Sequence, residues 1–322
     1  MNVKIVIPDD YGGVFSNSAQ LTRLESLGEV AHFTGRPASE EEMAERIADA
    51  EIILTVRFQT DFKNTALLDA ARELRFISIW GTRPRVVDMK RAGERGVSVS
   101  VTPGAGSPSV AEHTMMMALA LAKRLPYQGP AMRAGAWERV QGVELLGKTL
   151  SVIGFGHIGS KVVPMARGFG MEVLAWSKRM TPERAAKEGA RAASLDACMG
   201  CDFVTIQLHV TPETRGIISK ERIAGMKSTA FLINTSRAGL VDMDALLEAL
   251  RDKRIAGAGL DVFEPEEPLP VDSPFRALDN VILTPHVAAH TEGAVEREAR
   301  ITVDNVEAFI RGEPENLVFE DA

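Results

Sequence analysis

Cysteine is nearly absent from this 322-residue chain; Cys198 and Cys201 are the two present. Their C-x-x-C spacing would suit half a zinc site or a redox pair, but no second Cys or His pair stands at ligand spacing, so both read as structural and no metal is expected. Long apolar runs are also missing. None reaches the roughly 18 residues that a membrane span needs, so no membrane partner is expected. An excess of basic charge is lacking too: the formal net charge is −7 with the signs mixed, whereas nucleic-acid binders concentrate basic residues on one face. The opening Met1-Asn2-Val3-Lys4-Ile5-Val6-Ile7-Pro8 is too short and too soon interrupted for a signal peptide and reads as a first strand, which makes the cytoplasm the expected location. Internal repeats at solenoid spacing and low-complexity tails are absent as well.

What is present is ordinary for a globular protein, with 45% hydrophobic and 25% charged residues. The length suggests two domains, because single cores stop growing at roughly 250–300 residues. Apolar, β-rich runs at 3–7, 30–33, 52–56, 76–80 and 97–101 alternate with helix-like stretches. Ser39 with Glu42 makes a capping-box start for a helix over 40–49, and Gly28 closes one around 19–27. Such alternation implies a parallel sheet with helices on both faces. A Pro/Gly/Ser-rich stretch, Thr102 to Ser109, interrupts it. The spacing then predicts one long apolar helix over 110–125, whose Met115-Met116-Met117 run is packing material. The alternation restarts at Leu150 and continues to Leu283, and one amphipathic helix covers 292–311. The fold class is therefore α/β, with two Rossmann-like doubly wound parallel sheets.

The strand around Thr149–Ile153 runs into Gly154-Phe155-Gly156-His157-Ile158-Gly159 and then into a helix-like segment. A G-x-G-x-x-G in that setting is a dinucleotide-binding fingerprint. One glycine makes the tight turn, one lets the backbone approach the pyrophosphate, and one allows close helix–strand packing. The phosphates would rest on the helix N-terminus, at His157 and Ile158. About twenty residues on, NAD enzymes place a carboxylate for the ribose 2′-hydroxyl. This chain has Ser177-Lys178-Arg179 instead. Cations beside a small hydroxyl suit a 2′-phosphate, so the cofactor is NADP or NAD, with NADP favoured.

Three polar groups stand just past the ends of later apolar strands: Arg237 after 231–234, Asp261 with Glu264, Glu266 and Glu267 after 257–260, and His286 after 281–283. Open α/β sheets bind ligands at that edge, so these groups and the glycine loop should share one site within the sheet. Hydride transfer between a nicotinamide and a secondary alcohol needs a base for the hydroxyl proton, and a histidine titrates in the right range. A carboxylate bonded to it fixes its orientation. An arginine clamps a carboxylate through its two-pronged donor geometry.

With these motifs the chain resembles the D-isomer-specific 2-hydroxyacid dehydrogenases over nearly its whole length. The likeness rests on the glycine loop, on Asn234-Thr235-Ser236-Arg237-Ala238-Gly239, on Leu260-Asp261-Val262-Phe263 with the following glutamates, on Thr284-Pro285-His286, and on Ser109-Val110-Ala111-Glu112-His113-Thr114. The resemblance implies that Arg237 binds the substrate's carboxylate and carbonyl and that His286 is the acid/base. It implies that Glu266 or Glu267 pairs with His286, because the carboxylate loop is one residue longer than usual. It places Thr235, Arg237, Asp261 and His286 at the cofactor, with Asp261 on the nicotinamide amide and His209 beside the adenine. The resemblance implies a substrate loop at Gly81-Thr82-Arg83-Pro84-Arg85, with Arg57 after the neighbouring strand; the cations Arg57, Arg83 and Arg85 point to an anionic substrate with a second acidic or otherwise polar group.

The implied architecture is a substrate domain of residues 1–101 plus 288–322, flavodoxin-like, and a dinucleotide-binding domain of 102–287. A homodimer through residues 110–147 is also implied, and a chain that stops soon after its last helix is expected to lack a regulatory domain. The implied activity is hydride transfer between nicotinamide C4 and C2 of a small 2-keto or 2-hydroxy acid, such as glyoxylate or hydroxypyruvate. Phosphite-type oxidation and dinucleotide sensing by a corepressor-like protein are the alternatives.

Overall fold

The computed structural model describes residues 3–56, 61–264 and 268–319. The chain divides into two compact units, one running to Gly106 and resuming at Glu292, the other being Ser107–Thr291. The sequence reading put the joins at 101/102 and 287/288. Thr102 still belongs to the first unit, since its amide donates to the Gly81 carbonyl at 2.7 Å.

In the first unit, six strands of described residues line up as Leu317–Val318, Ser98–Ser100, Phe76–Ile79, Ile52–Thr55, Val3–Ile7 and Gly28–His32. All pair in parallel except Leu317–Val318, which runs antiparallel to Ser98–Ser100. The five parallel strands thus follow the flavodoxin-like order 2-1-3-4-5. The amphipathic helix Glu292–Ile310 lays Ala299, Val303 and Val306 against Ile5, Ile52 and Phe76. Phe309 stacks on Phe76 with ring centroids 4.4 Å apart. Full burial of a side chain such as Val303, Ile5 or Phe76 contributes about 1.5–3 kcal/mol.

Local signals here worked with two adjustments. Ser39 caps its helix by accepting from the Glu42 amide, but the Glu42 carboxylate reaches the Ala38 amide at 2.6 Å, one residue before the expected cap position. Gly28 does end the helix Ala19–Leu27, yet in an extended conformation. Its glycine is required for room: a Cβ there would lie 2.3 Å from the Val3 carbonyl oxygen.

Among its described residues the second unit holds seven parallel strands in the order Val281–Leu283, Gly257–Leu260, Phe231–Asn234, Phe203–Ile206, Thr149–Ile153, Glu172–Trp176 and Arg191–Ala192. The central strands are covered on both faces, which is why they read as continuous apolar runs. Chain order reverses between Thr149–Ile153 and Phe203–Ile206, and such a switch point opens a crevice at the C-terminal strand ends.

One expectation fails in this unit. The helix expected over 110–125 is two helices, Ser107–Ala122 and Leu125–Arg133. Arg124 between them is left-handed, with φ of 57°, and Pro126 in the next first turn brings no amide to continue the earlier ladder. Met115 and Met117 are core residues. Cys198 and Cys201 are free and buried, and burial pushes the Cys198 thiol up to about 12, so it is a packing group rather than a nucleophile. Among the described residues no helix is long and apolar enough to cross a membrane.

Candidate active site

At the switch point, Gly154 leaves its strand with φ of 103°. A Cβ there would meet the Gln207 carbonyl oxygen at 2.3 Å, and one on Gly159 would meet the Gly154 carbonyl oxygen at 2.5 Å. Both glycines are dictated by the protein's own packing. Gly156 is not, because a Cβ on it meets nothing within 4 Å. Its backbone borders open space, the room a pyrophosphate needs. The helix Gly159–Gly168 begins with Ile158 at its cap and no side-chain capping bond, so no capping side chain covers its first amides. His157 is exposed beside them.

The neighbouring strand Glu172–Trp176 is followed by Ser177, whose Oγ is buried without a hydrogen-bond partner. An unmet buried hydroxyl costs about 1–3 kcal/mol, so a ligand that bonds it is favoured. Lys178 and Arg179 follow, both exposed. Arg184, which sequence reasoning passed over, reaches back from the helix Pro182–Lys187 to the Phe155 carbonyl at 2.7 Å. The residues present therefore fit a dinucleotide: an open glycine backbone, an unpartnered buried hydroxyl just after the next strand, Lys178 and Arg179 following it, and Arg184 on the glycine loop. His209 is exposed, with its carbonyl accepting from the Thr214 hydroxyl at 2.6 Å.

On the third element, Asn234 clamps the turn that carries Arg237. Its amide nitrogen donates to the Arg237 carbonyl at 2.9 Å and its oxygen accepts from the Ser236 amide at 3.0 Å. The Ser236 hydroxyl donates to the Leu208 carbonyl. The Arg237 guanidinium donates to the Ser236 carbonyl at 2.5 Å. Thr235 turns inward: its Oγ1 lies 2.8 Å from Thr114 Oγ1 and accepts from the Gln207 amide at 3.2 Å. Gln207 and Thr114 were not foreseen. Gln207 directly follows the strand Phe203–Ile206, as Arg237 nearly follows its own, and that position was the available signal.

Asp261 is fully buried. It accepts from the Thr284 hydroxyl at 2.5 Å, from the Val287 amide at 3.0 Å and from the Ala288 amide at 2.9 Å. Both of its oxygens thus hold the backbone of the histidine loop. His286 sits inside that loop in a left-handed conformation, φ 55°, with its amide donating to the Thr284 carbonyl at 3.0 Å. His113 lies behind, with Nε2 3.1 Å from Thr284 Oγ1 and 3.7 Å from Asp261 Oδ1. Burial lowers the His113 pKa more than Asp261 raises it, so its ring is neutral at physiological pH. A cavity of about 550 Å³ opens beside His286, lined by Phe263, Leu269, Arg276 and Leu283 among others.

Glu266, Glu267 and Arg57 lie outside the described residues. Glu264 is paired elsewhere, with Arg215 at 2.8 Å. The second unit thus brings Gly154, Gly156, Gly159, Ser177, Arg237, Asp261 and His286 to the C-terminal edge of one sheet. Gly81, Thr82 and Arg83 follow the strand Phe76–Ile79 of the first unit. The Gly81 amide donates to Thr102 Oγ1 at 2.8 Å.

Residues 115–288 match the family model described as D-isomer specific 2-hydroxyacid dehydrogenase, NAD binding domain. The D-3-phosphoglycerate dehydrogenase of Methanocaldococcus jannaschii is 41% identical over 300 residues, 92% of this chain and 56% of that protein. The chain therefore spans little more than half the length of that relative. The glyoxylate reductase of Korarchaeum cryptofilum is 34% identical over 293 residues, 88% of this chain and 87% of its own. Among solved structures, the acyclic imino acid reductase Bsp5 in complex with NADPH and D-Arg superposes with a TM-score of 0.83 at 25% identity, covering 98% of this chain and 100% of that one.

Proposed function

The chain belongs to the D-isomer specific 2-hydroxyacid dehydrogenases, a family of NAD(P)-dependent oxidoreductases acting on CH–OH groups, and on that premise we propose that it interconverts a short 2-keto acid and its D-2-hydroxy acid with NADPH favoured. The observation that carries this is the meeting of Arg237, His286 and the open glycine loop at one edge of one parallel sheet. Arg237 binds the substrate carboxylate through charge-assisted hydrogen bonds and polarises the adjacent carbonyl. His286 gives a proton to the substrate oxygen in reduction and removes it in oxidation. Glu266 or Glu267 orients His286 and favours its charged form. When bound, the nicotinamide would supply the hydride in reduction and accept it in oxidation. The open backbone at Gly156 and the first turn of the following helix would hold the dinucleotide's phosphates, in a turn that Gly154 and Gly159 make possible.

The cofactor preference rests on Ser177, whose buried hydroxyl lacks a partner, and on Lys178 and Arg179 in place of a carboxylate. Arg83, half-buried after Gly81, supports a substrate with a second polar or acidic group. A homodimer through residues 110–147 is supported by exposed Leu125, Met132, Trp137 and Leu146, an apolar set that a second copy would cover. The test is nicotinamide oxidation by the purified protein with glyoxylate, hydroxypyruvate, pyruvate and oxaloacetate, NADPH against NADH. Turnover lost in His286→Ala is the expected result; no turnover with any acid while the dinucleotide still binds would sink the reading.

A further inference from the structure

His113 is one of six histidines and lies on the buried helix Ser107–Ala122, far in sequence from the glycine loop, Arg237 and His286. Its side chain is 14% exposed. The Thr284 hydroxyl spends its proton on Asp261 Oδ1, so only its lone pairs face His113 Nε2 at 3.1 Å. Nε2 must therefore carry the ring proton and donate to Thr284. Asp261 in turn accepts the amides of Val287 and Ala288. These bonds grip the loop on both sides of His286: Thr284 before it, and Val287 and Ala288 after it. His286 itself holds a left-handed backbone that a side chain rarely adopts, and such a conformation persists only where its surroundings over-determine it.

We propose that His113 is a positioning residue, which by donating to Thr284 holds the Thr284–Asp261 pair and so fixes the loop that aims His286. The inference rests on the reading of His286 as the acid/base. It gives the histidine of the helix Ser107–Ala122 a task in the chemistry, although it touches neither substrate nor cofactor. Burial keeps the ring neutral, so His113 acts as a hydrogen-bond donor and adds no charge beside Asp261. A neutral donor of similar reach should therefore replace it.

The experiment compares His113→Leu, which fills the space without donating, with His113→Gln, which keeps an N–H near the position of Nε2. His113→Leu should lower kcat at least tenfold while KM for the dinucleotide changes less than twofold, and His113→Gln should recover kcat to within about threefold. Equal kcat in His113→Leu and the parent would overturn the inference. So would a Gln variant as poor as the Leu variant with an unchanged melting temperature. Should His113→Leu fail to fold, Thr284→Val against Thr284→Ser tests the same link, with loss expected in Val alone. A second readout does not depend on turnover: ring C–H resonances of the six histidines, with His286 assigned through His286→Gln. The His286 signal should broaden or shift in His113→Leu and return in His113→Gln. That outcome in a protein inactive on every keto acid would fault the proposed reaction and leave the positioning role standing; an unmoved His286 signal would remove the positioning role.

Discussion

The Arg184 guanidinium donates to the carbonyl of Phe155 at 2.7 Å, so a residue on a separate helix holds the second position of the glycine loop. Its carbon also lies 5.8 Å from the Phe155 ring centroid. Hydrogen bonds from charged groups contribute about 1.5–3 kcal/mol when partly buried, less at this exposed site. Arg184→Ala should weaken dinucleotide binding by roughly five- to tenfold, as about 1–1.4 kcal/mol implies, with little change in melting temperature. Fluorescence titration with NADPH and NADH measures it, and unchanged affinity for both would show the contact to be incidental.

Two glycines of the same loop should fail for different reasons. Gly154→Ala meets backbone at 2.3 Å and a positive φ, so it should destabilise the protein by more than about 2 kcal/mol. Gly156→Ala meets nothing of the protein, so it should fold normally and still bind dinucleotide at least tenfold less tightly. Urea unfolding beside a binding titration separates the two; full binding by Gly156→Ala would mean that the phosphates lie elsewhere.

The cations after Ser177 should discriminate between cofactors. Lys178→Ala with Arg179→Ala is expected to raise KM for NADPH about tenfold, one charge-assisted contact being worth about 1.4 kcal/mol, and to leave KM for NADH within twofold. Parallel changes in both constants would defeat the assignment of a 2′-phosphate site to these side chains.

Burial holds the Cys198 thiol protonated up to about 12, against 9.0 when exposed. A group whose folded pKa is raised stabilises the fold below its unfolded pKa and loses that contribution as pH rises toward the folded value. Stability should thus decline from about pH 9 upward, and more steeply in the parent than in Cys198→Ala. Equilibrium unfolding at pH 8 and pH 10 gives the comparison. An identical decline in both proteins would remove Cys198 from the account.

Much of this protein could be read from local pattern. Alternating apolar runs mark the parallel strands because a strand covered on both faces must be apolar throughout. Gly154, Gly156 and Gly159 announce themselves through spacing alone, and Arg237 and His286 through standing just beyond strand ends. Ser39 capped its helix as its type requires. The break at Arg124 was not legible, since its surroundings are helix formers and only Pro126 hints at a stop. Nor was the direction of Asp261, whose partners stand 23, 26 and 27 residues away.

The sequence by itself determined the fold class, the nucleotide loop and the edge of the sheet where chemistry gathers. These depend on periodicity and turn geometry, which act over a few residues. Only the tertiary structure decided which polar groups face one another. His113 meets Thr284 across 171 residues, and Gln207 meets Thr114 across 93. No local preference encodes such pairs. They form because buried donors and acceptors left unmatched cost free energy, and packing alone determines which partner lies within reach.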